Sequence, residues 1–144
     1  MSLLSTMDVS ASGLNCEKLR MELIAQNIAN IETTKTSAGG PYRRQVAVFK
    51  ETLRNELNRV ENPGEFMGAG VQVAKIVTDN APALMVYDPQ HPDAGQDGMV
   101  AKPNINLANE IVDSITASRA YGANVTVFNA TKSMALKALT VGRG

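Results

Sequence analysis

The residues best suited to chemistry lie together in a proline-rich loop that holds the only histidine, His91, and three aspartates, Asp88, Asp93 and Asp97. Clustered carboxylates could bind calcium, but their spacing does not match an EF-hand loop and no glutamate follows at the position of its bidentate ligand. A single histidine without a second histidine or a cysteine nearby is a poor zinc site. We therefore predict a structural loop and no bound metal.

The sequence also lacks the pattern of a nucleophilic or nucleotide-binding site. No serine or cysteine has the flanking residues of a nucleophile elbow or a plausible histidine partner. Gly68-Ala-Gly70 is not followed by the third glycine or the lysine of a phosphate-binding loop. The single cysteine, Cys16, cannot form an internal disulfide, and we expect a small, partly buried helical residue. We predict no enzymatic activity, no cofactor and no small-molecule substrate.

Composition favours an elongated helical protein. The 144 residues suffice for about one domain and carry a formal net charge of zero. Basic residues do not cluster beyond Arg43-Arg44, so no nucleic-acid partner is expected. Tryptophan is absent, and the apolar residues are mostly Ala, Val, Ile, Leu and Met, which suit narrow seams between helices. No apolar run is long enough to span a membrane, and the first residues lack the basic start and apolar core of a cleaved signal peptide.

The first part of the chain predicts an amphipathic helix over residues 4–31. Its apolar or small residues recur in steps of three and four, the heptad spacing of a helix that packs along another helix. This stripe consists of Leu4, Met7, Ala11, Leu14, Met21, Ala25 and Ile28, with Lys18 in the remaining heptad place. Ser5 and Asp8 have the spacing of a capping box at the start of the helix. Asn30 is suited to end it, because asparagine tolerates the left-handed conformation.

The last part of the chain repeats this pattern and predicts a helix over residues 107–140. Its stripe consists of Ile111, Ser114, Ser118, Tyr121, Val125, Phe128, Lys132, Ala135 and Leu139, with Ile115 beside it. Asn104 or Asn106 could cap the start of the helix. No proline interrupts the run, although Gly122 weakens a helix by about 1 kcal/mol relative to alanine. A helix of this length would extend roughly 50 Å, as is usual in coiled coils.

The central part has a different pattern. Alternating and β-branched residues predict strands at 45–49, 71–77 and 83–87, whereas residues 50–60 also fit a short helix. Prolines and glycines mark residues 87–98 as a loop. We therefore predict an α+β fold in three parts: an N-terminal helix in 1–34, an irregular β-rich insert in 35–103, and a C-terminal helix in 104–144. The two helices are expected to form a coiled-coil pair.

Periodicity alone leaves two interpretations of the stripes open. The helices could pair within one chain as an antiparallel hairpin, or their apolar surface could be covered by neighbouring subunits in a polymer. Asn27 and Asn124 are placed to fix the register of such a seam, because a buried amide specifies alignment at some cost in stability.

Several motifs resemble those of the flagellar axial protein family. Ala25-Gln-Asn27-Ile-Ala-Asn30-Ile-Glu-Thr33 is similar to the N-terminal signature of that family. Ala117-Ser-Arg119-Ala-Tyr121-Gly-Ala-Asn124-Val125, followed by Lys132-Ser-Met134, is similar to its C-terminal signature. Gly39-Gly-Pro-Tyr-Arg-Arg44 and Tyr87-Asp-Pro-Gln-His-Pro-Asp93 resemble segments of its proximal basal-body rod members. Met99 and Gly122 depart from the family pattern, which usually has a tyrosine and a larger residue at these positions.

The resemblance implies a structural subunit that self-assembles through its terminal helices into the torque-transmitting proximal rod of the bacterial flagellum. The implied partners are further copies, other rod proteins, the MS ring with its small rod adaptor, and the flagellar type III export apparatus. The implied location is the flagellar basal body, outside the cytoplasm. The expected assembly interface comprises Leu4, Met7, Ala11, Leu14, Met21, Ala25, Asn27, Ile28, Asn30, Ile111, Ile115, Arg119, Tyr121, Asn124, Val125, Phe128 and Leu139. The alternatives are another rod or hook-type axial subunit, or a small metal- or ligand-binding domain.

Overall fold

A computed structural model describes residues 3–53 and 68–142. Within these residues two long helices, α1 (Leu3–Ala29) and α2 (Leu107–Val141), flank a β region. Its strands are β1 (Gln45–Leu53), β2 (Gly68–Thr78), β3 (Leu84–Tyr87) and β4 (Met99–Lys102). The predicted α+β class, with terminal helices around a small β region, is confirmed.

Asparagine side chains define one end of each helix. The Asn106 side chain accepts hydrogen bonds from the backbone nitrogens of Ala108 at 2.9 Å and Asn109 at 3.2 Å, which confirms it as the cap of α2. Asn30 follows α1, and its side-chain nitrogen donates to the carbonyl oxygen of Gln26 at 2.9 Å. The predicted cap at Ser5 is wrong, because α1 begins at Leu3 and Ser5 therefore lies inside the helix.

The strands form two antiparallel pairs. β1 pairs with β2 from Gln45 opposite Thr78 onwards, and two irregularities shift the register along the ladder. Residues 50–60 had also fitted a short helix, and the structure shows that they continue β1 as strand up to Leu53. The rest of that segment lies outside the described residues. β3 pairs with β4. The sequence did not predict the strand β4, because Met99–Lys102 has only four residues and no alternation of apolar and polar side chains. The predicted loop between β3 and β4 is confirmed.

The buried interior is small and unusually polar. Among the described residues, the buried apolar side chains are Cys16, Leu23, Ile24, Val100, Pro103 and Ala117. Polar side chains buried with them are Ser10, Asn27, Glu110 and Thr131. Hydrogen bonding and ion pairing must therefore specify much of how the elements dock, because buried polar groups without partners would be costly.

The two helices run antiparallel, and their contact seam can be traced from side chain to side chain. Asn27, near the end of α1, binds Glu110 near the start of α2. About two turns earlier in α1, the Arg20 guanidinium lies 3.7 Å from an Asp113 carboxylate oxygen. Further along, Gly13 lies so close to Asn124 that a methyl group at Gly13 would be 3.0 Å from the Asn124 side-chain nitrogen. The seam therefore runs along α1 through positions 10, 13, 20, 24 and 27, in heptad spacing but one residue before the predicted stripe.

The helices differ in length, so one projects beyond the other. α1 has 27 residues and α2 has 35, which correspond to about 40 Å and about 52 Å at 1.5 Å per residue. Since the end of α1 lies beside the start of α2, the additional length of α2 extends past the start of α1. Leu139 and Val141, in these last turns, are exposed.

Replacement of Gly122 by alanine should stabilise the protein. Gly122 lies inside α2, and a methyl group built on it would have no atom within 4 Å. Alanine restricts the unfolded chain and favours the helix, so the free energy of unfolding should rise by about 0.5–1 kcal/mol. Urea unfolding followed by circular dichroism measures this change.

Gly13 provides the matched control, because it is also a helical glycine but faces the Asn124 side chain. The Gly13→Ala variant should gain less stability than Gly122→Ala, since the new methyl group must displace that amide. Equal gains in the two variants would contradict the close approach of the helices at Gly13.

Candidate functional site

Asn27 is the residue at which α1, β1 and α2 meet. Its side-chain oxygen accepts from the Gln45 backbone nitrogen at 2.9 Å and from the Tyr42 hydroxyl at 3.2 Å. Its side-chain nitrogen donates to the Gln45 carbonyl oxygen at 3.0 Å and to a Glu110 carboxylate oxygen at 3.1 Å. Every donor and acceptor of this buried amide is therefore used. Because it binds both backbone groups of Gln45, Asn27 pairs with the start of β1 much as a neighbouring strand would.

Glu110 and Arg44 extend this cluster to the surface. Glu110 is 1% exposed, and its second carboxylate oxygen accepts from Arg44 Nε at 2.5 Å. The Arg44 guanidinium also donates through Nη2 to Asp113 at 3.1 Å. A buried carboxylate requires such partners, since an unpaired charge would be strongly destabilising. We call Asn27, Tyr42, Arg44, Glu110 and Asp113 the junction cluster.

A second contact holds α1 against the sheet. The Ser12 hydroxyl donates to the Val9 carbonyl oxygen at 2.7 Å and accepts from the Val71 backbone nitrogen at 3.0 Å. One turn later, Cys16 Sγ lies 3.7 Å from the Val71 carbonyl oxygen as a weak donor. Gly70 has a φ of +109° and leaves no room for a side chain beside Ser12. α1 therefore binds β2 through both backbone groups of Val71.

Burial changes the acidity of two side chains in these contacts. Desolvation, reinforced by the nearby Glu110 carboxylate, raises the pKa of Tyr42 above its ordinary value of 10.0. Desolvation, reinforced by Glu17, raises the pKa of Cys16 above its ordinary value of 9.0. Both groups are therefore held in their neutral, proton-donating forms, which suits their hydrogen bonds to Asn27 and Val71.

The residues expected to form an assembly interface lie mostly beside the seam. Many residues of the predicted stripes come directly after a seam residue in the sequence. On α1 these are Ala11, Leu14, Met21, Ala25 and Ile28, and on α2 they are Ile111 and Val125, which follow Glu110 and Asn124. Successive helical residues are about 100° apart, so a shift of one residue turns a stripe from the seam to its flank. Because the helices are antiparallel, the same shift turns both stripes towards one common flank. The sheet lies on the other side, where it contacts Ser12 and Cys16.

This surface, which we call the apolar flank, is only partly covered within the chain. Leu4, Ile111 and Leu139 are exposed, and the remaining large apolar members, Met7, Leu14, Met21, Ile28, Tyr121, Val125 and Phe128, are half-buried. The other expected interface residues lie elsewhere. Asn27 and Asn124 belong to the seam, Asn30 follows the end of α1, and Ile115 and Arg119 are exposed on the side of α2 away from α1.

The loop that could have carried chemistry is occupied by internal hydrogen bonds. His91 Nδ1 accepts from the Asp93 backbone nitrogen at 3.1 Å, and an Asp93 carboxylate oxygen accepts from the Thr34 hydroxyl at 2.7 Å. In residues 3–53 and 68–142, no group of three or more His, Cys, Asp or Glu side chains is placed to hold a metal ion. Neither described helix combines the length and the hydropathy that a membrane crossing requires.

Removal of the Asn27 side chain should destabilise the fold strongly. The Asn27→Ala variant would leave both backbone groups of Gln45 and one Glu110 oxygen without their partner in a buried site. The expected loss in the free energy of unfolding is about 3 kcal/mol. Urea unfolding measures it, with the exposed Asn15→Ala in the same helix as the control, which should change stability by less than about 0.5 kcal/mol. Similar losses in both variants would contradict the role of the junction cluster.

Stability should fall at alkaline pH because of Tyr42 and Cys16. Both have raised pKa values in the folded state. Above the ordinary pKa values, 9.0 for Cys16 and 10.0 for Tyr42, the unfolded chain therefore releases protons that the folded chain retains. The free energy of unfolding should therefore decrease from about pH 9 upwards. In Tyr42→Phe, the decrease above about pH 10 should be smaller than in the wild type. An unchanged slope in that variant, measured by urea unfolding at several pH values, would show that Tyr42 is not responsible.

The amino-acid sequence is similar to those of known proteins along its whole length. A family model described as the C-terminal part of the flagellar basal body rod FlgEFG proteins matches residues 96–141, which include β4 and α2. The chain is 43% identical to the flagellar basal-body rod protein FlgC of Borreliella burgdorferi, with 100% of both chains covered. It is 38% identical to FlgC of Bacillus subtilis, with 99% of this chain and 100% of that protein covered. Identity to FlgC of Salmonella typhimurium is 37% at the same coverage. At this identity over the full length, the chain belongs to the family of flagellar basal-body rod proteins FlgC.

Proposed function

We propose that this protein is a non-catalytic structural subunit of the flagellar basal-body rod, and that it assembles with neighbouring subunits through the apolar flank of its helix pair. The supporting observation is that apolar stripes of both helices converge on one flank, opposite the sheet. A monomer gains only part of the possible burial from these stripes, because they lie beside the seam and their large apolar residues stay half-buried or exposed. Alignment on one surface is useful when another subunit covers it.

The composition of the seam supports the same proposal. Small and polar residues such as Ser10, Gly13 and Asn124 meet where large apolar residues would give the greatest gain from burial. The larger apolar residues of α2, including Ile111 and Ile115, are exposed instead. The chain therefore uses specific polar contacts to hold its own helices together and leaves its apolar side chains for other contacts. This favours the polymer over a self-sufficient hairpin.

The proposed partners are further copies of this chain and other rod proteins. By its resemblance to the axial family, the chain would also contact the MS ring through a small adaptor and pass through the flagellar type III export apparatus. Two features suit a shaft that transmits torque. The helices are long and uninterrupted by proline, and a cluster of ion pairs and hydrogen bonds fixes their connection to the sheet.

A charge placed on the apolar flank should prevent assembly. Ile111 is 46% exposed on the flank, so Ile111→Glu should leave the monomer folded while it introduces a charge into the contact with another subunit. Bacteria in which this variant replaces the wild-type chain should fail to swim in soft agar. Circular dichroism of the purified variant should match the wild type.

Val112→Glu is the matched control. Val112 is also an exposed β-branched residue of α2, at 61% exposure, and it lies on the side of the helix that faces Asp79 and Asn104 of the β region, away from the apolar flank. Cells with this variant should swim. If both variants swim, the apolar flank is not the assembly surface. If neither swims, a charge anywhere on α2 is harmful, and the proposal loses its specificity for the flank.

A further inference from the structure

The charges of this chain are separated along its length. From residue 114 to the end, the sequence has no Asp or Glu and carries the basic residues Arg119, Lys132, Lys137 and Arg143. From residue 77 to 101 it has no Lys or Arg and carries Asp79, Asp88, Asp93 and Asp97. The net charge of zero therefore conceals a basic carboxyl-terminal part of α2 and an acidic loop between β3 and β4.

These two regions lie at opposite ends of α2. β4 leads through Pro103 to the helix cap Asn106, so the acidic loop belongs to the amino-terminal end of α2. Lys132 and Lys137 lie near its other end, roughly 40 Å away at 1.5 Å per residue. Their charges cannot neutralise each other within one chain. Among the described residues, no ion pair includes these lysines or any of the four aspartates.

Stabilisation of the helix does not account for the basic residues. Cations favour the last turn of a helix, where the carbonyl groups are unpaired, and the last turn of α2 contains no basic residue. Lys132 and Lys137 project from the sides of the helix before that turn. They lie beside exposed apolar residues, Met134, Leu136 and Leu139.

The acidic loop and β3 have the same combination of exposed apolar and charged residues, with the opposite sign. Leu84, Met85 and Tyr87 of β3 are exposed, and Tyr87 leads into the loop that carries Asp93 and Asp97. Asp93 and Asp97 are themselves exposed. The two ends of the molecule are thus matched in apolar character and complementary in charge, as in interfaces that select their partner and orientation electrostatically.

We infer that the basic carboxyl-terminal part of α2, at Lys132 and Lys137, binds the acidic β3–β4 loop, at Asp93 and Asp97, of a second copy of this chain. The contact uses the side of the helix, since the negative end of the helix dipole would disfavour aspartate. Lys132 and Lys137 are five residues apart, so they lie at the two edges of the helix face that carries Leu136, and the loop would bind on that face between them. It joins two different surfaces, so each subunit keeps one free end of each kind and the contact can repeat without closing. This inference rests on the proposed function and adds a head-to-tail contact to the lateral contact at the apolar flank.

Charge reversal tests this contact, in cells where the variant replaces the wild-type chain. Lys132→Glu with Lys137→Glu, and Asp93→Lys with Asp97→Lys, should each abolish swimming, because like charges would then face each other. The variant with all of these substitutions should swim again, since the attraction is restored with reversed sign. Lys50→Glu with Lys75→Glu, on exposed residues of the β1–β2 sheet, should swim as the control.

Two results would overturn the inference: normal swimming of either reversed pair, or a combined variant that swims no better than the pairs alone. Restoration in the combined variant also excludes misfolding of either pair as the cause of their defect. The Ile111→Glu variant distinguishes this inference from the proposed function. If Ile111→Glu abolishes swimming while the reversed pairs swim, the apolar flank still mediates assembly and only the head-to-tail contact is wrong.

Discussion

The buried pairing of Asn27 with the start of β1 and with Glu110 is the constraint on which the rest of the structure depends. It joins three elements that are far apart in sequence, and it has little tolerance for misalignment because each hydrogen bond needs a particular partner. Arg44 completes it by neutralising Glu110 from the segment that leads into β1. A shift of either helix by one turn would leave a buried amide and a buried carboxylate unpaired. The cluster therefore determines the alignment of α1 with α2.

That alignment decides which surface of the helix pair faces outwards. With Asn27 and Ile24 in the seam, the large apolar residues one position later turn to the flank, and the sheet occupies the other side through Ser12 and Cys16. A seam filled with leucine would give a more stable monomer, but it would allow several registers and leave less apolar surface for neighbours. The polar seam is consistent with a subunit that needs one defined shape before it joins a polymer.

The sequence predicted the elements well but did not show which residues of the two helices contact each other within the chain, for a physical reason. The course of both helices, the cap at Asn106 and most of the strands followed from periodicity and turn residues, which are local properties. The seam observed between the helices runs one residue before much of the predicted stripes, because hydropathy shows which residues favour burial and not which partner buries them. Arg44 and Glu110 escaped notice since a charged residue ordinarily indicates a solvated surface. Two residues could have indicated this polar seam in the sequence. Asn27 directly precedes the stripe residue Ile28, and Gly13 directly precedes the stripe residue Leu14.

The central claim is that α1 and α2 of the same chain pair through this polar seam, also in the rod. Cysteine cross-linking tests it most directly, with Gly13→Cys and Asn124→Cys introduced together on a Cys16→Ser background. These two positions are in contact across the seam. We predict a disulfide within one chain, detected by mass spectrometry of proteolysed protein, both in the free subunit and in purified basal bodies. A disulfide that forms only between chains in the basal bodies would contradict it.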